Sequence, residues 1–246
     1  MEVKRSRPPG RGPWKLLALM LALVFSARAT AAPRVVSKSA EGFDPALLKR
    51  AAFLPLVRVL PQEDDRSVLH GVCPRDGAVY DACKVEEAAE AELSGSLGRA
   101  LAEGGGVSWV AQEEINAARV RVKERDPALS PGGPLQLALG RELQADAVLF
   151  GYIYCYRNRS GNAYASSAPA AVGFCLHLVE PATGKELWSF SYADEQRALS
   201  DNLLDAPAYL QRKGRWITAA QMAEEAAAAM VKVLPWRGPA GEEKKH

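Results

Sequence analysis

The stretch 146-DAVLFGYIYCYRNR-159 decides the fold. It is rich in aromatic and β-branched residues and is followed by polar turn formers, the signature of a strand. Two further segments of the same character follow, 170-AAVGFCLHLVE-180 and 181-PATGKELWSFSYADE-195. The P-A-T-G-K tract between the latter two predicts a three-residue hairpin loop with Gly184 in the left-handed position. That register sets Leu178 opposite Trp188, Leu176 opposite Phe190 and Phe174 opposite Tyr192. If Cys155 faces Cys175, then Tyr152, Tyr154 and Tyr156 fall opposite Leu178, Leu176 and Phe174. Side chains alternate with period two along a strand, so both registers gather the rings on one face. The other face then holds Gly151, Ile153, Val179, Leu187, Ser189, Ser191 and His177, small enough for a second layer to pack there. A lone histidine on such a face reads as a structural residue.

Whether the cysteines pair depends on the compartment, which the amino terminus addresses. A basic, proline-rich opening precedes the apolar run LLALMLALVFSA (16–27) and the small residues ARATAA. These are the n-region, core and A-x-A sites of a secretory signal peptide over residues 1–31, with cleavage expected near Ala31. An uncleaved signal anchor is the alternative, although the core is shorter than the ~20 residues a spanning helix takes. No cysteine sits at the cleavage site, so no lipid anchor is expected. Residues 1–31 carry six Lys or Arg against one Glu, net +5, so the +2 of the whole chain becomes −3 without them. The remaining chain of about 215 residues suits one domain. No basic face of the kind nucleic acid requires is evident.

An even count of four cysteines in an exported chain predicts two disulfides. Cys155–Cys175 would staple the hairpin; Cys73 and Cys83 would close a loop or stay unpaired. The tract 70-HGVCPRDGAVYDAC-83 could offer His70, Cys73 and Cys83 to zinc, but it lacks paired C-x2-C spacing and an evident fourth ligand. No metal and no cofactor are therefore expected.

The rest of the chain supplies helices and a few strands. Residues 32–52 read as a flexible lead-in with a short helix at PALLKRAA, FLPLVRVLP as a first strand, and 61–85 as a long loop. Ala89, Leu93, Leu97 and Leu101 recur four apart on one helical face, closed by the glycines 104–106. VSWVA is a short strand; QEEINAARVRVKE and GGPLQLALGRELQA are helices. Two more helices are expected at LSDNLLDAPAYLQRKG and TAAQMAEEAAAAMVKVLP. The second opens on a Thr218-x-x-Gln221 capping box and buries Met222, Ala226, Met230 and Val233. Residues 236–246 read as a disordered tail. The fold class is α/β (α+β): one domain over 53–235 with a single mixed sheet, a C-terminal three-stranded antiparallel meander, and helices packed on it.

Catalytic patterns are missing from the sequence. There is no G-x-x-x-x-G-K-[ST] or G-x-G-x-x-G, and His70 and His177 sit in no H-E-x-x-H pattern. LSGSLG around Ser94 lies inside a predicted helix, the wrong place for a nucleophile elbow. The acidic pairs Asp64–Asp65 and Glu113–Glu114 read as solvated surface. NRS at 158–160 fits a glycosylation sequon, which matters only in a eukaryotic secretory pathway. No enzyme is expected.

Across LGRELQADAVLFGYIY and FCLHLVEPATGKELWSFSY the sequence resembles a bacterial envelope superfamily. Its members include the curli-secretion lipoprotein, the lipoprotein activators of peptidoglycan synthases and the amino-terminal domain of the Tol-system propeller protein. The shared positions are Leu139, Gly140, Ala145, Asp146, Val148, Gly151, Thr183, Gly184 and Trp188. The resemblance covers roughly 53–235 and implies the fold, with function following by analogy. Unlike the lipoprotein members, this chain has no cysteine to lipidate at the expected cleavage site. It also has no insertion long enough for a transmembrane hairpin, since each spanning strand takes ~9–11 residues.

The expected function is a non-catalytic, exported envelope protein that binds a partner protein in assembly, secretion or regulation, periplasmic or envelope-associated. Peripheral membrane association is compatible with it. The surface would be a sheet edge or end loops, and Tyr209, Arg212, Arg215 and Trp216 are candidate interface anchors. The alternative is a small-molecule or glycan binder using the tyrosine-rich strand face; exposure of Tyr152, Tyr154 and Trp188 beside a cavity would favour it.

Overall fold

The computed structural model describes residues 33–63, 69–130, 133–162, 166–196, 212 and 215–237. Its centre is β8 (Ala147–Arg157), buried along ten of its eleven residues because it is covered on both faces. β8 pairs antiparallel with β11 (Ala171–Val179), which pairs antiparallel with β12 (Glu186–Glu195). This is the expected three-stranded meander in a mixed sheet. On its other side β8 runs parallel to β2 (Arg50–Phe53) and β3 (Val57–Arg58), and β2 runs parallel to β7 (Ser108–Trp109). The expected strand FLPLVRVLP is thus two short pieces interrupted around Pro55, which cannot donate a ladder bond.

Helices α1 (Ala89–Gly104) and α4 (Ala219–Val231) cover one face of the sheet. Leu93, Leu97 and Leu101 meet Met222, Ala226 and Met230 there, over Phe174, Trp188, Phe190 and Tyr192. The α4 capping box forms as read, with Thr218 and Gln221 satisfying each other's end of the first turn. Val233 is half-buried, and Leu234 and Trp236 complete the stripe. α2 (Gln112–Arg125) and α3 (Pro134–Glu142) pack on the opposite face.

Three expectations change. The lead-in 32–52 contains β1 (Arg34–Ser39), an edge strand antiparallel to β12 that is held partly by the Trp188 indole donating to Ser37 Oγ at 2.8 Å. PALLKRAA is a 3-10 turn at Pro45–Leu47 leading straight into β2. The loop 61–85 contains a small antiparallel sheet of β4 (Gln62–Glu63), β5 (Leu69–Val72) and β6 (Val79–Asp81). β9 (Ser160–Gly161) and β10 (Ser166–Ala168) pair in the β8–β11 connection. The helix expected at 199–214 lies outside the described residues except for Arg212. Of the tail expected over 236–246, Trp236 is instead buried against Trp109 and Trp188, and the residues beyond 237 lie outside the described ones.

The β11–β12 register is the expected one: Leu178 opposite Trp188, Leu176 opposite Phe190, Phe174 opposite Tyr192. The β8–β11 register is not. Cys175 lies opposite Tyr152, and Cys155 opposite Gly173, with a bulge at Gly173/Phe174. The three-residue offset turns Phe150, Tyr152 and Tyr154 to the α2/α3 face, away from Phe174 and Phe190. Tyr156, beyond the bulge, returns to the α1/α4 face. The rings therefore do not share one side; the odd offset distributes them over both.

Gly151 enforces this register. A Cβ there would stand 2.1 Å from the Cys175 carbonyl oxygen and 2.7 Å from Leu176. Gly140 likewise lets α3 close on Pro181 and Val148, each 2.4 Å from where its Cβ would be. Asp146 accepts the Lys49 and Arg50 amides at 2.9 and 2.8 Å, fixing β2 against the start of β8. Gly140, Asp146 and Gly151 are thus packing and pairing devices.

The cysteine pairing also differs. Cys83 is bonded to Cys155, and Cys73 and Cys175 are free and buried. The expected Cys155–Cys175 staple fails because the offset carries Cys175 to the α2/α3 face, three places along β8 from Cys155. The small sheet lies on that face, with Tyr80 stacked on Tyr154 at 4.5 Å and Gly71 over the same ring. The Cys83 amide donates to the Tyr154 carbonyl at 3.1 Å, bringing its sulfur to Cys155.

Two substitutions test this layout. Gly151→Ala is expected to lower stability by about 1–3 kcal/mol in denaturant titration, because the strand pair has no room for a methyl; an unchanged midpoint would refute the register. Cys83→Ser opens a crosslink spanning 72 residues. It should cost about 4 kcal/mol by loop-closure entropy, and non-reducing peptide mapping of the unaltered protein should recover the Cys83–Cys155 pair.

Candidate thiol and imidazole centre

Cys175 and His177 are two apart on β11, so their side chains project from the same face. That face is covered by the small sheet and its β5–β6 turn. Cys73 directly follows β5 there, its amide donating to the Ala78 carbonyl at 2.8 Å and its carbonyl accepting from the Gly77 amide at 2.9 Å. The Arg75 guanidinium reaches the Gly184 carbonyl, pinning this turn to the β11–β12 loop. Residues a hundred positions apart thereby meet.

The three side chains form a tight triangle. Cys73 Sγ lies 3.9 Å from Cys175 Sγ, and His177 Nε2 lies 3.3 Å from Cys73 Sγ and 3.2 Å from Cys175 Sγ. All three residues are only 1% exposed. Around them stand supporting groups. His177 Nδ1 faces Glu186 Oε2 at 2.6 Å, the Tyr154 hydroxyl lies 2.9 Å from Cys175 Sγ, and the Arg75 amide donates to Cys73 Sγ at 3.4 Å. The Tyr152 hydroxyl is buried with no hydrogen-bond partner.

The electrostatics are those of a charge-separated cluster. Hydrogen bonding to Cys175, and then to His177, holds the Cys73 thiol down at about 5 despite its burial. Burial pushes the Cys175 thiol well up, and the neighbouring Cys73 adds to it. Burial works against a charged His177, yet hydrogen bonds to Cys73 and Glu186 lift it to about 9. Burial, followed by the charge of Cys175, drives the Tyr154 phenol far up, so it stays a hydrogen-bond donor.

A thiolate, an imidazole and an orienting carboxylate are also the parts of a cysteine nucleophile. Attack needs a substrate carbon at the sulfur, however, and the burial of all three residues leaves none of that surface open. His177 meets a carboxylate as a hydrolase would require, but its other neighbours are thiols in a packed layer instead of a serine in a cleft. The structure thus turns a residue read as structural into the centre of the most concentrated chemistry among the described residues. His70, in β5, is outside this cluster, and Cys83 is used by the disulfide, so the grouping His70, Cys73 and Cys83 does not form.

The candidate interface residues are dispersed in their roles. The Arg212 side chain is 10% exposed and joins Asp194 and Glu225 at 2.6 and 2.7 Å. Arg215 is exposed, and its carbonyl accepts from Gln196 Nε2 at 2.7 Å; Trp216 is half-buried and its carbonyl accepts from Arg159. Tyr209 lies outside the described residues. Tyr152, Tyr154 and Trp188 are each 1% exposed, so the tyrosine-rich face offers no stacking platform for a sugar. Among the described residues, no helix is long and apolar enough to cross a membrane.

No protein-family model matches the chain, and no curated protein matches it. Solved structures do. The PelC dodecamer from Paraburkholderia phytofirmans matches with a TM-score of 0.45 at 12% identity, over 85% of this chain and 99% of that one. The C-terminal domain of LpoB from Escherichia coli matches at 0.36 and 17%, over 72% and 94%. Lipoprotein GNA1162 from Neisseria meningitidis matches at 0.35 and 15%, over 67% and 96%. The chain is similar to these proteins along most of their length.

Proposed function

We propose that the protein is a non-catalytic component of the bacterial envelope that binds a partner protein along the β1 side of its sheet. One observation carries this: β1 is exposed at all six residues, and among the described residues nothing pairs with its outer edge. The Ala40 amide donates to the Leu187 carbonyl at 2.9 Å, so even-numbered backbone groups of the strand face β12. The amides and carbonyls of Val35, Ser37 and Ser39 then point outward, free to accept another strand.

The adjoining sheet face supports the same use. The layer of α2, α3 and the small sheet covers β8 and β11 but thins out over β12. Ser189, Ser191 and Ala193 are half-exposed there, continuous with Val36 and Lys38 of β1. Val35 and Val36 are 38% and 41% exposed. A small-residue face beside an open edge suits a docked strand, while Arg34 and Lys38 restrain indiscriminate pairing. The Tyr209–Trp216 segment stays a second candidate contact through Arg215 and Trp216. The glycan-binding alternative loses its platform because the rings it needs are covered.

A photocrosslinking residue at Val36, irradiated in the native envelope, should capture a discrete protein partner, and the same residue at Val120 on α2 should not. Val35→Pro removes an outward amide while leaving the β1–β12 ladder intact, and should abolish the capture. Equal capture from Val120, or capture unaffected by Val35→Pro, would overturn the assignment.

A further inference from the structure

We propose that Cys73, Cys175 and His177 bind one thiophilic metal ion of the Zn²⁺ class. A tetrahedral ion with two thiolates at about 2.3 Å and an imidazole nitrogen at about 2.0 Å sets its ligand atoms at defined separations. The sulfurs stand about 3.8 Å apart and each lies about 3.5 Å from the nitrogen. The triangle in the protein has edges of 3.9, 3.3 and 3.2 Å. Shifts of a few tenths of an ångström therefore seat the ion, and the backbone already holds the ligands in place.

The surrounding groups are those a metal site requires. Glu186 takes the Nδ1 side of His177 and keeps a proton there, so that Nε2 is the nitrogen left to ligate an ion lying between it and the sulfurs. Tyr154 and the Arg75 amide provide donors to the two sulfurs. Three protein ligands leave one position of the tetrahedron for an oxygen. The Tyr154 hydroxyl is placed either to fill it or to hydrogen-bond a thiolate beside it. Two buried sulfur anions are costly without a cation, and a divalent ion balances their charge. An ion takes both sulfurs as thiolates and the His177 Nε2 bare, so the protons remaining on those three atoms leave as it enters.

A disulfide between Cys73 and Cys175 is the competing use of the same atoms. It requires the sulfurs to close from 3.9 Å to about 2.05 Å and would leave His177 Nε2 without a ligand to serve. The metal reading goes beyond partner binding and does not depend on it.

The test uses the exported protein, purified without chelator or reductant. Metal analysis should find one zinc per chain. Exchange with Co²⁺ should produce the strong visible bands and near-ultraviolet charge transfer of a tetrahedral, thiolate-ligated ion. Cys73→Ser and Cys175→Ser should each remove most of the charge transfer, and His70→Ala, outside the cluster, should retain it. Glu186→Gln keeps all three ligands and should weaken metal affinity about 10–100-fold, with near-ultraviolet circular dichroism reporting that the fold persists. The proposal is overturned if folded protein takes up no Co²⁺, if the cobalt bands survive in Cys175→Ser, or if peptide mapping finds Cys73 joined to Cys175.

Discussion

The pairing of Gly151 with Leu176 is the contact on which the rest depends. Because that position has no side chain, β11 can lie against β8 at an offset that places Cys175 beside Tyr152 and leaves Cys155 opposite Gly173. An offset of one residue either way would exchange the two faces of β8. The aromatic cluster under α1 and α4, the stacking of Tyr80 on Tyr154 and the meeting of Cys73 with Cys175 and His177 all follow from that choice.

The small sheet translates the register into chemistry. It is held onto β8 by the Cys83–Cys155 bond at one end and by the reach of Arg75 to the β11–β12 loop at the other. Between these ties the β5–β6 turn has little freedom, so Cys73 is delivered to the strand pair instead of to solvent. Each cysteine thus has a distinct task, two fastening the cover and two lying beneath it.

Much of this was legible from residues alone, and the limits have physical causes. The β11–β12 pairs match the reading although the turn differs: Glu180 and Lys185 close a four-residue loop in place of the expected three-residue one. Val179 faces Glu186, and a bulge between Val179 and Leu178 restores the offset, with Gly184 at a φ of +75° as expected. The helix stripes of α1 and α4 could be read from their spacing. The β8–β11 register could not, because its connection is long, contains β9 and β10, and leaves pairing to side-chain fit and a bulge. Once that register was missed, the face of His177 could not be interpreted. Cys175-x-His177 on a strand was a usable signal for a shared face, but Cys73 lies about a hundred positions away and only the fold brings it there. β1 was overlooked because RVVSKS is exposed throughout and has no hydrophobic alternation to announce a strand.

The layer on the α1/α4 face draws on both ends of the chain: Leu93 to Leu101 from the first half, Ala219 to Trp236 from the last residues described. Trp236 packs against Trp188 and against Trp109, the latter more than a hundred residues earlier. A nascent chain that has not yet supplied α4 leaves half of its sheet wet, and such non-local closure is slow to form. Closure of this layer therefore waits until α4 has been made, and until then the rings of Phe174, Trp188 and Phe190 lack their cover on the growing chain.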